Sequence, residues 1–172
     1  MSPNTSSLRR PERIDALLLF RLSKIVSLGG SIVTRLCEGG YGITRREWAV
    51  LAILVTQDRL SWTEVAQRAE LDDARLSRAV SSLVAKGLAQ KTSDPNRHVH
   101  LASTERGQDL YAEIFPFTQA IHTQLLENLD DTSVKALDHA LSVVHAQAER
   151  LARESALPKA DRRLGRGRSP TS

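Results

Sequence analysis

Hydrophobic residues recur at helical intervals along most of this chain, and the breaks between runs mark out its elements. From Glu12, the residues Ile14, Leu18, Leu22, Ile25, Ile32 and Leu36 trace one face of a long first helix. Gly29 stands where that stripe would continue, and Gly39 and Gly40 stop the helix after about Cys37. Thr44, with Glu47 three residues later, forms a capping box that opens a second helix with Trp48, Leu51, Ala52 and Val55 as its apolar face. Ser61 and Glu64 repeat that arrangement at the start of a short third helix, in which Val65 and Ala69 face inward. Asp72 or Asp73 opens a fourth helix, and Gly87, just after Lys86, closes it.

The period then changes. Residues 88–91 and 99–102 are short and suited to strands, and the SDPNRH stretch between them reads as the tip of a hairpin. Thr104 caps a fifth helix running to about Leu129, with Leu110, Ile114, Phe117, Ile121 and Leu125 as its stripe and Pro116 as a kink. A last helix starts near Asp131. Its Val134, Leu137, Leu141, Val144, Ala148 and Leu151 alternate in steps of three and four, the spacing of a coiled-coil seam. Residues 1–11, with Pro3 and Pro11, read as a disordered N-terminus, and residues 156–172 as a flexible basic tail.

Four helices, a hairpin and two long helices in this order are most economically a winged helix-turn-helix: a mainly α fold with a small β-hairpin wing. Long terminal helices flank it. The expected divisions are residues 12–43 for the N-terminal part of a dimerisation region, 44–104 for the winged domain, and 105–155 for the C-terminal dimerisation helices. One small domain does not need every apolar stripe for its own core. The simplest use of the terminal stripes is to pack against a second copy, which predicts a homodimer.

Composition narrows the class. Cys37 is the only cysteine and cannot form an internal bridge, no apolar run approaches the roughly 18 residues of a membrane span, and the first residues lack a secretory apolar region. A cytoplasmic protein with no membrane partner is expected. The net charge of +4 is unevenly spread: residues 107–155 carry 3 basic and 8 acidic side chains, whereas the segments before and after are net basic. No phosphate-binding loop, HExxH, GxSxG or paired CxxC is present, so neither an enzyme nor a cofactor is expected. His98 and His100 alternate along one strand without an evident third ligand, so no metal site is assigned.

The fourth helix carries the chemistry. Leu76, Val80, Leu83 and Val84 form its inward face, leaving Arg75, Arg78 and Ser82 outward with Ser77 and Ser81 beside them. Arginine bonds a guanine edge bidentately, and serines are short enough for the helix to approach a groove closely. That arrangement points to double-stranded DNA as partner. Asp72 and Asp73 would repel phosphate, but at a helix start they serve as caps and complement the dipole. At the hairpin tip, Arg97 suits a narrow minor groove, with His98 beside it. Ser61, Thr63 and Lys91 are candidate phosphate contacts, and Lys86 is a further one.

The stretches ITRREWAVLAIL, WTEVAQRAELDDARLSRAVSSLVAKGL and SDPNRHVHLASTERGQDLY resemble the MarR family of bacterial transcription regulators, and the resemblance runs over about residues 12–153. Two departures stand out: Pro95 and Asn96 precede Arg97 where the family has an acidic residue before a basic pair, and Ser103 replaces an apolar residue. The resemblance implies a homodimer on a pseudo-palindromic operator, acting as a repressor that a small aromatic carboxylate or phenolic effector releases. Candidate effector contacts are Arg21, which interrupts the apolar first helix, Arg46 beside Trp48, and the hydroxyls of Ser27 and Ser31. Two other readings stay open. One is redox sensing through Cys37, although Glu38 and the helix end both raise its pKa. The other is a winged helix that binds protein instead of DNA.

Overall fold

The computed structural model describes residues 8–57, 59–93 and 99–154, and the chain divides into two units, residues 1–125 and 126–172. The expectations for residues 1–7, for the hairpin tip at 94–98 and for the tail after Glu154 lie outside the described residues. The first unit holds α1 (Leu18–Arg35), α2 (Arg45–Thr56), β1 (Leu60–Ser61), α3 (Trp62–Arg68), α4 (Asp73–Ala85), β2 (Ala89–Ser93), β3 (Val99–Ser103) and α5 (Glu105–Leu126) up to Leu125. The described part of the second is α6 (Asp131–Glu154). The winged helix-turn-helix is present as expected. No helix among the described residues is long and apolar enough to cross a membrane.

The first helix begins later and ends differently than the pattern suggests. A 3-10 turn at Ile14–Ala16 gives way to extended backbone at Leu17 before α1 starts, and Leu36–Gly40 continue it as a π-helix. Gly39 and Gly40 therefore lie within that wider turn. The turn into α2 falls at Gly42, whose φ of 65° suits glycine.

Local signals for α2, α3 and α4 hold. Thr44 Oγ1 accepts from the Glu47 amide at 3.1 Å while Glu47 Oε2 accepts from the Thr44 amide at 2.6 Å, and Ser61 and Glu64 form the second box. Asp72, not Asp73, caps α4, and Gly87, at φ 69°, follows its last turn. The core lies between these helices and the sheet: Val50, Leu51, Leu54, Val65, Leu76, Val80, Leu83, Leu101 and Ile114 are fully buried. Helix α2 is buried more widely than a single stripe, since Val50 and Leu54 join Trp48 and Leu51 while Ala52 and Val55 are only half-buried. On α4 the inward set is Leu76, Ala79, Val80 and Leu83; Val84 is 38% exposed and does not belong to it.

The sheet has a strand that the pattern does not reveal. β1 is two residues long and pairs antiparallel with β3, giving the order β1-β3-β2, with Leu60 opposite Leu101 and Ala89 opposite Ser103. Its length leaves no alternation to detect, yet the pairing seats Leu60 in the core. Helix α5 ends at Leu126, earlier than expected. It buries Ile114, half-buries Leu110 and Ile121, and leaves Phe117 and Leu125 exposed. On α6 the seam residues Leu137, Leu141 and Leu151 are exposed, and the helix buries none of its residues.

Gly107 lets α5 approach the loop after α4. A Cβ there would collide with the Leu88 carbonyl oxygen, a backbone atom, and crowd Leu51 Cδ1 at 3.1 Å. Gly107→Ala should therefore destabilise the fold by about 1–3 kcal/mol through overpacking. Urea denaturation checks this through a lowered midpoint at unchanged slope.

Candidate nucleic-acid interface

The connection between α3 and α4 is held locally. The amide of Ala69 donates to Val65 O at 2.9 Å and that of Leu71 to Ala66 O at 3.0 Å, while Glu70 turns the chain with a left-handed φ of 51°. Asp72 Oδ1 accepts from the Arg75 amide at 2.8 Å, which starts α4. The indole Nε1 of Trp62, the first residue of α3, donates to Asp73 Oδ1 at 3.1 Å and so ties the two helix starts together. Lys91 Nζ on β2 lies 6.0 Å from the centre of the same indole ring, which brings the wing strand to this point.

With Leu76, Ala79, Val80 and Leu83 inward, successive steps of about 100° place Arg78 and Ser81 near the middle of the outer face, with Ala74 and Ala85 among them. All four are exposed. Asp73 and Ser77 mark one flank. Arg75 marks the other, more than half exposed, with its Nε 3.5 Å from Asp72 Oδ2. Arg78 Nε donates to Ala74 O at 3.1 Å, which sets the direction of its guanidinium.

Several expected contacts are placed otherwise. Ser82 is half-buried and its hydroxyl bonds the Glu47 carboxylate, so it is not an outward group. Lys86 is engaged within the chain: its Nζ donates to Glu47 Oε2 at 3.0 Å and to Gly42 O at 2.9 Å. Ser61 Oγ is engaged in its capping box with Glu64, whereas Thr63 and Lys91 are exposed. Arg97 and His98 lie outside the described residues.

Glu47 is the group whose second role the sequence hides. It is 4% exposed, and burial alone would push its carboxyl up. Hydrogen bonds from Ser82, the Thr44 amide and Lys86, with the Lys86 charge, outweigh burial and hold it below the ordinary carboxylate range. The carboxylate thus joins the first turn of α2 to the last turn of α4. A charged residue between Arg46 and Trp48 was the available signal, but its capping role already accounted for it.

The candidate effector residues do not gather in one place. Arg46 and Trp48 line a cleft of about 600 Å³ together with Glu38, Arg45, Ala69 and Leu71. Ser27 and Ser31 line a separate cleft of about 470 Å³, which Arg45 also borders. Arg21 is exposed on α1 and lines neither. Trp48 is mainly a core residue, 8% exposed and stacked at 5.3 Å on Tyr111, which stacks at 5.1 Å on Phe115. Arg45, which sequence reasoning passed over, extends along α1 at Gly30, where any Cβ would meet its guanidinium. Cys37 is fully buried; burial pushes its thiol up, Glu38 adds to this, and Arg45 opposes it. A shielded, protonated thiol is a poor nucleophile toward oxidants.

Comparison with known proteins agrees with this architecture. A family model described as MarR family matches residues 41–98. No curated protein matches. A MarR family transcriptional regulator from Silicibacter pomeroyi is 21% identical with a TM-score of 0.68, over 84% of this chain and 94% of that one. BpsR of Bordetella bronchiseptica, whose DNA binding is regulated by 6-hydroxynicotinic acid, is 21% identical with a TM-score of 0.71, over 78% and 97%. The PcaV regulator of Streptomyces coelicolor, solved with its natural ligand, is 22% identical with a TM-score of 0.65, over 80% and 94%.

The Glu47 network yields a pH dependence. A carboxyl held low in the folded state stabilises the fold above its unfolded pKa, and that contribution is lost as pH falls through the folded value. Glu47→Ala should cost about 2 kcal/mol at neutral pH, since it strips partners from Thr44, Ser82 and Lys86. Urea titrations at neutral and acid pH check it: the gap between parent and variant should narrow on acidification.

Proposed function

We propose that this chain, which a MarR family model matches over residues 41–98, works as a dimeric repressor that reads duplex DNA with α4 and is released by a small aromatic acid. The observation that carries the DNA-binding part is the outer face of α4. It offers a guanidinium among serine hydroxyls and alanines, on a helix whose other side is locked into the core. A bulky apolar residue there would hold the helix off the groove. Arg78 is the central reader, with Ser77 and Ser81 beside it and Arg75 on the flank; Thr63 and Lys91 contact phosphate. The protein acts without chemistry of its own, in the cytoplasm where the chromosome is.

Dimerisation is supported by what the single chain leaves uncovered. On α1, Leu19, Ile25, Val26 and Leu28 are more than half exposed, and on α6 the seam Leu137, Leu141 and Leu151 is exposed. Large apolar surfaces of this kind mark an interface. A second copy related by two-fold symmetry would cover them and set two copies of α4 on two half-sites.

The effector reading is best placed in the cleft beside Arg45 and Arg46. Its volume suits a small aromatic ligand, and its lining holds two arginines to one carboxylate, Glu38. BpsR, regulated by an aromatic acid, makes this ligand class reasonable for a protein of the same fold. Arg46 immediately precedes Glu47, which holds Ser82 and Lys86 of α4. An anion that draws Arg46 would therefore act one residue from the group that fixes the reading helix. It shifts DNA affinity only to the extent that it prefers one arrangement of α4.

Fluorescence anisotropy with operator and random duplexes tests the DNA reading. The parent should prefer its operator and lose affinity steeply as salt rises. Arg78→Ala should lower operator affinity about tenfold and relax preference at one guanine, with the dimer intact by sedimentation. An equal, salt-insensitive response to every duplex would refute it. A hydroxybenzoate titration tests the effector arm. It should release parent protein from the operator, whereas Arg46→Ala should need at least tenfold more ligand while keeping its DNA affinity.

A further inference from the structure

Asp73 is an anomaly on the proposed reading helix. It is exposed at the first helical residue, near where a recognition helix meets base edges, yet a carboxylate repels phosphate. Capping does not explain it, because Asp72 is the cap. Nor is it left to find its own position: the Trp62 indole N–H holds Oδ1 at 3.1 Å, and Trp62 is itself half-buried at the start of α3. The Lys91 ammonium lies over the same ring, 6.0 Å from its centre. A surface acid that only tuned the helix dipole would not need such a fixture.

We infer that Asp73 is a specificity-determining residue that accepts a hydrogen bond from the exocyclic amino group of a cytosine in the major groove, with Trp62 as its positioning residue. The inference rests on the DNA-binding reading of α4. A carboxylate offers about four lone-pair sites, so the indole bond leaves capacity for a further donor. In the major groove the base edges offer two amino donors, cytosine N4 and adenine N6, and carboxylates pair with the first. Guanine O6 and N7 and thymine O4 are acceptors and would face the carboxylate with no proton between them. The helix then divides its outer face: Arg78 at the middle and Arg75 on one flank donate to guanine, while Asp73 on the other flank accepts from cytosine. Asp73 thereby excludes sequences as well as selecting one, because each wrong base leaves a charged group unsatisfied.

Selection from randomised duplexes, followed by anisotropy on single-base variants of the selected site, tests the inference. The parent should show one position where cytosine is favoured roughly tenfold over guanine or thymine. Asp73→Asn keeps an acceptor for the indole but presents an amide, which pairs with adenine, so preference at that position should move from cytosine to adenine. Trp62→Phe keeps an aromatic side chain but removes the N–H; it should weaken discrimination at that same position and leave the others unchanged. Circular dichroism confirms that each variant is folded. If Asp73→Asn and Asp73→Ala bind every duplex more tightly by the same factor and keep the parent's base order, the carboxylate merely repels phosphate and the inference fails while DNA binding stands. If the parent retains no duplex at low salt, the DNA-binding reading fails and takes this inference with it.

Discussion

A carboxylate taken almost wholly out of water must be satisfied where it lies, and that requirement on Glu47 organises the structure around it. Its partners come from different parts of the chain: the Thr44 amide before α2, and Ser82 and Lys86 from the end of α4. Lys86 also reaches Gly42 O in the loop after the π-turn. Apolar burial brings α2 and α4 together but is indifferent to direction. Hydrogen bonds to one small group are not, so the carboxylate sets the register in which α4 leaves the core and presents its outer face. The price of that control is a sensitivity to acid that an all-apolar contact would lack.

The opposite end of α4 is fixed by different means. Asp72 caps it, Glu70 takes the left-handed turn, and Trp62 spans from α3 to Asp73. A helix pinned at both ends and filled along its inner side by Leu76, Val80 and Leu83 has little freedom to rotate. Rotation by one residue would either turn Ala79 outward and bring Ser77 inward, or turn Val84 outward and bury Arg75. The exposure of Val84 marks how narrow the inner face already is. Reading DNA needs this stiffness, because a guanidinium discriminates a base only when its fork arrives in plane.

Sequence legibility follows the range of each interaction. Both capping boxes, a cap at Asp72 or Asp73 and the stop at Gly87 were readable, since each depends on residues within a turn of one another. The wing was readable from its change of period. What escaped depends on contacts across the chain. Two-residue β1 has no pattern without β3, and Ser82 lies only about 20° around α4 from Arg75, so its inward bond cannot be seen without Glu47 opposite. The effector residues fared worse for the same reason. Spacing along α1 and α2 could not show that Arg46 and Ser27 border separate clefts, or that Arg45 occupies the space over Gly30.

The distribution of buried residues separates two duties. Among the described residues, every buried side chain lies between Cys37 and Ile114, while α1 and α6 bury none of theirs. The core is therefore built mainly from the winged part, with Cys37 and with Ile114 of α5 completing it, while α1 and α6 keep most of their apolar surface outside it. In the proposed dimer, the position of each reading helix within its own domain is set by that core and by Glu47. The separation of the two readers is set by helices whose packing is independent of it. A ligand need not deform the reading face to release DNA. On that proposal, a small change in how the domain is carried on α1 would alter the distance between the two readers, and a duplex with fixed half-site spacing would penalise that change. The junction where such a change would be felt is the first turn of α2, where Arg45 lies over Gly30 of α1 and Glu47 holds α4.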